Sequence, residues 1–160
     1  MVLAKSRLPA TLRGSPATGS QRLLSRLTWL EKMGGDLMAI EKCINEFDVD
    51  QVIFEEGSTG RELFVVLDGQ VEIAKLISGR KTVIVTLGKG EFFGEMAVID
   101  GSARSATAIA AAPNTRVMRI NHARFVYLVS QQPAFALMVM DALSKRLRAS
   151  NAVTFKAANS

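Results

Sequence analysis

The feature of this 160-residue chain that most constrains its fold is a series of short apolar runs, each ended by a turn signal. The runs are Val52–Phe54, Leu63–Leu67, Val71–Ile77, Thr82–Leu87, Thr107–Ala111 and Arg116–Ile120, with Ile40, Cys43 and Ile44 leading into Phe47. Pairs such as Asp68-Gly69 between apolar alternations are strong hairpin signals. Turns about ten residues apart are typical of antiparallel barrels and sandwiches. We therefore predict a mainly β fold, an antiparallel β-roll of jelly-roll or double-stranded β-helix type, over residues 37–120.

Two helices are predicted after Ile120, where the apolar period lengthens to that of a helix. Asn121 suits the N-cap of the first helix, and Pro133 suits the first turn of the second. The second helix carries an apolar stripe of Phe135, Leu137, Met138, Met140, Leu143 and Leu147. We interpret this stripe as core or as a dimer seam. The predicted flanking elements are C-terminal helices over residues 121–150 and a flexible tail over 151–160.

The N-terminal segment has a different composition. Residues 1–20 are rich in Ser, Thr, Pro, Gly and Ala, which predicts a disordered basic arm. An organelle transit peptide is the alternative, because the arm contains arginine and serine but no acidic residue. Residues 21–36 have the pattern of a short amphipathic helix that ends at Gly34-Gly35. Packing on the domain is favoured for this helix over contact with a membrane surface.

Composition argues against several classes of function. The net charge of +5 lies in residues 1–30, and residues 31–160 hold equal numbers of acidic and basic residues, so no direct DNA binding is expected. Cys43 is the single cysteine, which rules out an internal disulfide and a cysteine-rich metal site and fits a cytoplasmic location. No run approaches about 18 apolar residues, so no transmembrane segment is expected. Without a nucleophile–base constellation, we expect a binding protein and no enzyme.

The segment from Phe92 to Thr107 carries the strongest functional signal. It contains a Gly-Glu pair, Gly94-Glu95, before a short apolar turn, and Arg104 nine residues after the glutamate. Glycine lets backbone N–H groups approach an anion closely, and the first turn of a helix leaves N–H groups unpaired. Arginine binds phosphate through two parallel hydrogen bonds, whereas an ionised glutamate only accepts and therefore suits a sugar hydroxyl. The pattern predicts a pocket for a singly charged phosphate joined to a ribose.

Three segments together resemble the cyclic nucleotide-binding domain, which is found in catabolite activator-type regulators, kinase regulatory subunits and nucleotide-gated channels. They are Gly57–Val71, Gly90–Ala97 and Arg104–Thr107. The resemblance covers about residues 37–148. It implies a β-roll with C-terminal lid helices. It also implies a receptor for cAMP, cGMP or both, with cAMP as the first candidate ligand, and no other cofactor.

The same resemblance implies roles for individual residues. Glu95 would bind the ribose 2′-hydroxyl, Arg104 would pair with the cyclic phosphate, and backbone N–H groups of the Gly94–Ala97 turn would complete the anion site. Ser105 would face the phosphate or the base. The predicted ligand-binding set is Phe93, Gly94, Glu95, Met96, Ala97, Arg104, Ser105, Ala106 and Thr107, with no metal ligand. The sequence departs from many relatives at Ala103, where they carry proline before the arginine.

The resemblance also implies how a signal would leave the domain. The last helix would close over the base as a lid, and Arg146, Arg148 and Phe155 are candidates for capping the purine. Transcription factors of the family continue into a helix-turn-helix domain, whereas this sequence ends soon after Arg148. We therefore expect a stand-alone sensor that acts through a protein partner or as a homodimer.

Two alternatives to the receptor remain at this stage. One is a degenerate β-roll that serves as an interaction scaffold and binds no nucleotide; Glu95 and Arg104 argue against it. The other is a small cupin-like enzyme, which needs a set of metal-binding His and Glu residues. His122 is the single histidine and cannot supply that set.

Overall fold

The computed structural model describes residues 41–159. The arm and helix predicted for residues 1–36, and the beginning of the region predicted to start at residue 37, lie outside the described residues. The described strands are β1 (Ile44–Phe47), β2 (Val52–Phe54), β3 (Glu62–Asp68), β4 (Val71–Ile77), β5 (Arg80–Leu87), β6 (Phe92–Phe93), β7 (Thr107–Ala110) and β8 (Thr115–Asn121). The described helices are α1 (Glu95–Asp100), α2 (His122–Gln131) and α3 (Pro133–Ala158).

The strands form two antiparallel four-stranded sheets, and the predicted β-roll is thereby confirmed. One sheet has the order β1-β8-β3-β6 and the other the order β2-β7-β4-β5. The sequence pattern did not identify β6 and α1 as separate elements, because a two-residue strand and a six-residue helix are too short to display a period. These two elements form the segment that carries the Gly-Glu pair.

Strand β3 separates two hydrophobic clusters. Its side chains alternate between the faces of the sheet, as those of any strand do. Leu63 and Val65 are fully buried in a cluster that also contains Leu128 and Phe135 from the helices. Phe64 and Val66 point the other way, into the cluster inside the roll. The sheet therefore holds the helices on one face and the interior of the roll on the other.

Both predicted helix starts are observed. The Asn121 side chain accepts a hydrogen bond of 2.9 Å from the backbone N–H of Arg124, which caps α2. Pro133 occupies the first turn of α3, where its missing N–H costs nothing. Helix α3 continues to Ala158, beyond the predicted end at residue 150. The sequence after Arg148 contains neither glycine nor proline, so no residue type there interrupts a helix.

The helices α2 and α3 meet at a sharp bend of 113°. Within residues 41–159, no single helix combines the length and the apolar character of a membrane span. By length and composition alone, the bent pair of α2 with Pro133–Ala152 passes that criterion.

Candidate functional site

The turn between β6 and α1 depends on Gly94. Its φ of 78° lies in the left-handed region that side-chain-bearing residues rarely adopt. A Cβ atom at this position would lie 2.7 Å from Nη1 of Arg104 and 2.9 Å from the carbonyl oxygen of Glu62. Conformation and close packing therefore both require glycine, and the first N–H groups of α1 are left without acceptors inside the helix.

Arg104 is held at the base of this turn by its backbone. It lies in the connection between α1 and β7, and its N–H donates to the carbonyl of Ser58 at 2.9 Å. Its own carbonyl accepts from the N–H of Gly57 at 2.8 Å. The two hydrogen bonds join the arginine to the loop before β3, which begins the first of the three segments that resemble the family.

The guanidinium of Arg104 is buried and closely packed, with 4% of the residue exposed. Nη1 donates to the carbonyls of Glu62 at 2.9 Å and Gly94 at 3.1 Å, and Nη2 donates to Oε2 of Glu62 at 3.0 Å. The guanidinium carbon lies 4.3 Å from the centre of the Phe54 ring, within cation–π range. The charge is thus oriented by the roll itself.

Burial lowers the pKa of Arg104 from its ordinary value, and the negative charges of Glu62 and Glu95 oppose that shift. The guanidinium remains protonated, since arginine is charged throughout the working range of proteins. Three of its five N–H groups are used in the contacts above. Nε–H and the second Nη2–H have no acceptor among the described residues, so they form a free pair of donors suited to an anion.

Glu95, at the first position of α1, is 5% exposed. Its Oε1 accepts a hydrogen bond from Nη1 of Arg146, a residue of α3. The Nη2 group of Arg146 donates to the carbonyl of Phe92. The second carboxylate oxygen, Oε2, is buried and has no hydrogen-bond partner among the described residues. One oxygen of a buried carboxylate is therefore available to a donor that the chain does not supply.

A small cavity of about 70 Å³ joins the two charged groups. Of the nine predicted residues, eight line it: Phe93, Gly94, Glu95, Met96, Ala97, Arg104, Ser105 and Ala106. Thr107 does not line it; its hydroxyl accepts a hydrogen bond of 3.0 Å from the N–H of Glu56 and so joins the start of β7 to the turn after β2. Ser105 is exposed and donates to Sδ of Met96 at 3.7 Å.

A second, larger cavity of about 500 Å³ lies between α3 and the roll. Apolar side chains from both sides line most of it, including Val85 and Leu87 of β5 and Leu137 and Met138 of α3. Arg146 lines this cavity as well as the smaller one. The other two candidates on the last helix do not reach either cavity: Arg148 and Phe155 are exposed.

Three residues of the site were not identified from the sequence. Phe54 and Ile73 form part of the apolar wall of the small cavity, and Glu62 orients Arg104. Phe54 and Ile73 look like ordinary strand residues, and a glutamate at the start of a strand looks like a solvated charge. Pairing between residues 42 positions apart leaves no local pattern.

No group of three or more His, Cys, Asp or Glu side chains that could hold a metal ion occurs in residues 41–159. His122 instead donates from Nδ1 to the carbonyl of Val98 at 3.0 Å. This contact joins α2 to α1. The histidine therefore has a structural partner that the sequence did not reveal.

Comparison with known proteins identifies relatives of this arrangement. The family model described as "Cyclic nucleotide-binding domain" matches residues 44–132, more than half of the chain. The chain is 32% identical over 97 residues to the cyclic AMP receptor protein of Thermus thermophilus, covering 60% of this chain and 44% of that protein. It is 34% identical over 85 residues to the cGMP-dependent protein kinase egl-4 of Caenorhabditis briggsae, covering 52% and 11%.

The fold is also shared with solved structures. The catabolite activator protein of Thermus thermophilus superposes with a TM-score of 0.66 at 24% identity, over 78% of this chain and 61% of that one. This likeness shows the β-roll with its C-terminal helices. The chain spans less than half the length of either curated relative.

Proposed function

The chain belongs to the cyclic nucleotide-binding domain family, and we propose that it is a receptor for a cyclic nucleotide, cAMP or cGMP. One observation carries the proposal: a buried arginine with free donors and a buried carboxylate with a free acceptor oxygen line the same small cavity. A ligand that satisfies both needs an anionic group and a hydroxyl donor a short distance apart. A ribose carrying a cyclic phosphate has both.

Arg104 is proposed to bind the phosphate. Its two free N–H groups offer the paired geometry that phosphate oxygens accept. Glu62 keeps the guanidinium in one orientation before the ligand arrives, so little freedom is lost on binding. The N–H groups at the start of α1 are proposed to complete the anion site, because Gly94 lets the ligand approach them closely.

Glu95 is proposed to bind the ribose 2′-hydroxyl. Its Oε2 is an acceptor buried without a partner, and a hydroxyl is the donor that an ionised carboxylate can bind. The base is proposed to extend toward the larger cavity, whose apolar walls suit a flat heterocycle. Ser105 lies at the edge of the small cavity and can contact the phosphate or the base.

The proposed activity is binding and signalling, not catalysis. In the described part of the chain, the charged groups of the site make binding contacts: Arg104 is held by Glu62, and Glu95 is paired with Arg146. We further propose that the signal passes to a protein partner or to a second copy of the chain. Exposed apolar side chains along α3, including Leu137, Met140 and Leu147, support this part of the proposal.

The scaffold alternative keeps one observation in its favour. Arg146 already satisfies Oε1 of Glu95, and the space beside it is small, as in a site that no longer admits a ligand. A protein of this kind would retain the β-roll and respond to no nucleotide. The receptor and the scaffold therefore differ in whether the protein binds a cyclic nucleotide, which is simple to measure.

The experiment is a thermal-unfolding screen of the purified chain with cAMP, cGMP, 5′-AMP and 5′-GMP. A ligand at about 100 times its dissociation constant stabilises the folded state by about 2.7 kcal/mol, which raises the melting temperature by several degrees. We expect a shift with one or both cyclic nucleotides and none with the linear ones. A screen in which all four nucleotides leave the melting temperature unchanged would favour the scaffold.

A further inference from the structure

Arg146 lies between the two cavities described above. It lines both of them, and no other described residue is shared between the two. Its direction follows from its position in α3: Phe135, Val139 and Leu143 are the inward-facing residues at helical spacing before it. Arg146 continues this stripe, so the helix directs a charged side chain toward the roll.

The guanidinium of Arg146 binds the carboxylate proposed to accept the ribose hydroxyl, through its other oxygen. It donates to Oε1 of Glu95 and to the carbonyl of Phe92 at the end of β6. Its side chain is 32% exposed, whereas that of Glu95 is 6% exposed. Without Arg146, the carboxylate would be a buried charge that lacks a partner, a costly state unless a ligand replaces the missing donor.

The volume of the small cavity indicates that a ligand must replace the Arg146 side chain and cannot bind in addition to it. Ligand pockets usually measure about 300–1,000 Å³, and the cavity between Arg104 and Glu95 measures about 70 Å³. A whole cyclic nucleotide therefore does not fit beside Arg146. Withdrawal of that side chain would join the small cavity to the larger one of about 500 Å³. The combined space lies within the usual range.

We propose that Arg146 is an internal competitor of the ligand: it binds Oε1 of Glu95, narrows the space beside the free Oε2, and must leave Glu95 before a cyclic nucleotide binds. The inference rests on the proposed function, because it concerns the regulation of the same site. Binding is then linked to the position of α3, since Arg146 belongs to that helix. The apparent affinity is reduced by the fraction of molecules in which Arg146 remains bound to Glu95.

The test replaces the guanidinium while keeping the length of the side chain. Arg146→Met retains an unbranched stem but cannot bind Glu95, and Arg146→Lys retains the charge but has no planar pair of donors. Arg119→Met is the control: Arg119 is exposed on β8, lines neither cavity, and its replacement changes the net charge equally. Isothermal titration with cAMP and cGMP measures the affinity of all four proteins, and thermal unfolding confirms that each is folded.

We expect Arg146→Met to bind about tenfold more tightly than the wild type, on the scale of one charged hydrogen bond. The affinity of Arg146→Lys should lie between those of the wild type and Arg146→Met. This variant tests the inference by itself if the methionine variant does not fold. Arg119→Met should equal the wild type. Binding by Arg146→Met alone, with none by the wild type, would also support competition.

Two results would overturn the inference, and they differ in whether the proposed receptor function is also overturned. If both Arg146 variants bind the nucleotide as tightly as the wild type or more weakly, Arg146 either does not affect binding or helps to hold the ligand. The receptor function then stands. An absence of binding in every folded protein, variants included, removes the receptor function together with the competition. A merely structural role for Arg146 predicts weaker binding or no change, and never a tighter complex.

Discussion

The two charged ends of the site are stabilised by different parts of the molecule. Within residues 41–159, the guanidinium of Arg104 contacts groups of the roll: the carboxylate and carbonyl of Glu62, the carbonyl of Gly94 and the rings of Phe54 and Phe64. Glu95 is paired through one oxygen with Arg146, which comes from α3, and its other oxygen has no partner within residues 41–159. One end is complete within the β-roll, and the other depends on a helix.

This difference suggests that the two ends of the site have different roles. A charge held by a rigid sheet and its loops is oriented before a ligand arrives, and it supplies affinity. A charge paired with a separate helix connects occupancy of the site to the position of that helix, because ligand and helix offer alternative partners. The following predictions are ordered by the size of the expected effect.

The largest effect is expected at the phosphate end. Arg104→Ala leaves the phosphate without its charged partner, which costs about 2–5 kcal/mol, or roughly thirtyfold to several thousandfold in affinity. Micromolar binding should be lost in isothermal titration with the preferred nucleotide. Circular dichroism should show that the β-roll is retained.

Arg80→Ala is the control for this change, because Arg80 is exposed at the start of β5 and its removal alters the net charge equally. Its affinity should match that of the wild type. An unchanged affinity in Arg104→Ala would contradict the assignment of Arg104 as the phosphate-binding residue. A similar loss of affinity in both variants would mean that Arg104 acts only through long-range electrostatics.

An intermediate effect is expected at the ribose end. A hydrogen bond to a charged group contributes about 1.5–3 kcal/mol, or roughly ten- to 150-fold in affinity. In the wild type, 2′-deoxy-cAMP should therefore bind more weakly than cAMP by a factor in this range. In Glu95→Ala the two ligands should bind equally, because the acceptor of the hydroxyl is gone.

The ratio of the two affinities is the informative quantity. Glu95→Ala also releases Arg146, which alters the unliganded protein, but both ligands share that reference state. The ratio therefore isolates the contact between the carboxylate and the hydroxyl. A preference for cAMP that persists in the variant would place the hydroxyl against another group.

The smallest effect is expected from crowding the guanidinium. A Cβ atom at Gly60 would lie 2.9 Å from Nη2 of Arg104 and 2.9 Å from Oε2 of Glu62. Gly60→Ala should push the arginine off its preferred rotamer, at about 0.5–1.5 kcal/mol, and weaken nucleotide binding about two- to tenfold. Gly88→Ala is the matched control, since the nearest atom, Oε2 of Glu91, would be 3.8 Å away. Equal affinities in the two variants would indicate that Arg104 has room to adjust.

Much of the fold could be predicted from the sequence because its signals are local. The apolar runs of β3 and β4 and the Asp-Gly turn between them specify a hairpin without reference to the rest of the chain. Asn121 and Pro133 likewise act within one turn of the helices that they begin. The pairing order of the strands in the two sheets is non-local, and only the structure shows it.

The residues of the site divide in the same way. Gly94, Glu95 and Arg104 were identified because the cassette places them within eleven consecutive residues. The partner of Arg104, Glu62, is 42 positions away, and the partner of Glu95, Arg146, is 51 positions away. Arg146 stood out in the sequence as a basic residue near the end of the helix, and it was expected to cap a base.

By itself, the sequence determined the longer strands, the starts of the two C-terminal helices, and which short segment carries a glycine, an acid and an arginine at the spacing of an anion site. Only the tertiary structure decided which charge neutralises which. Hydrogen bonds and ion pairs between side chains depend on distances of a few ångströms, and packing of the sheets and α3 sets those distances. For that reason the contact between Arg146 and Glu95, on which the proposed regulation depends, could be found only in the folded molecule.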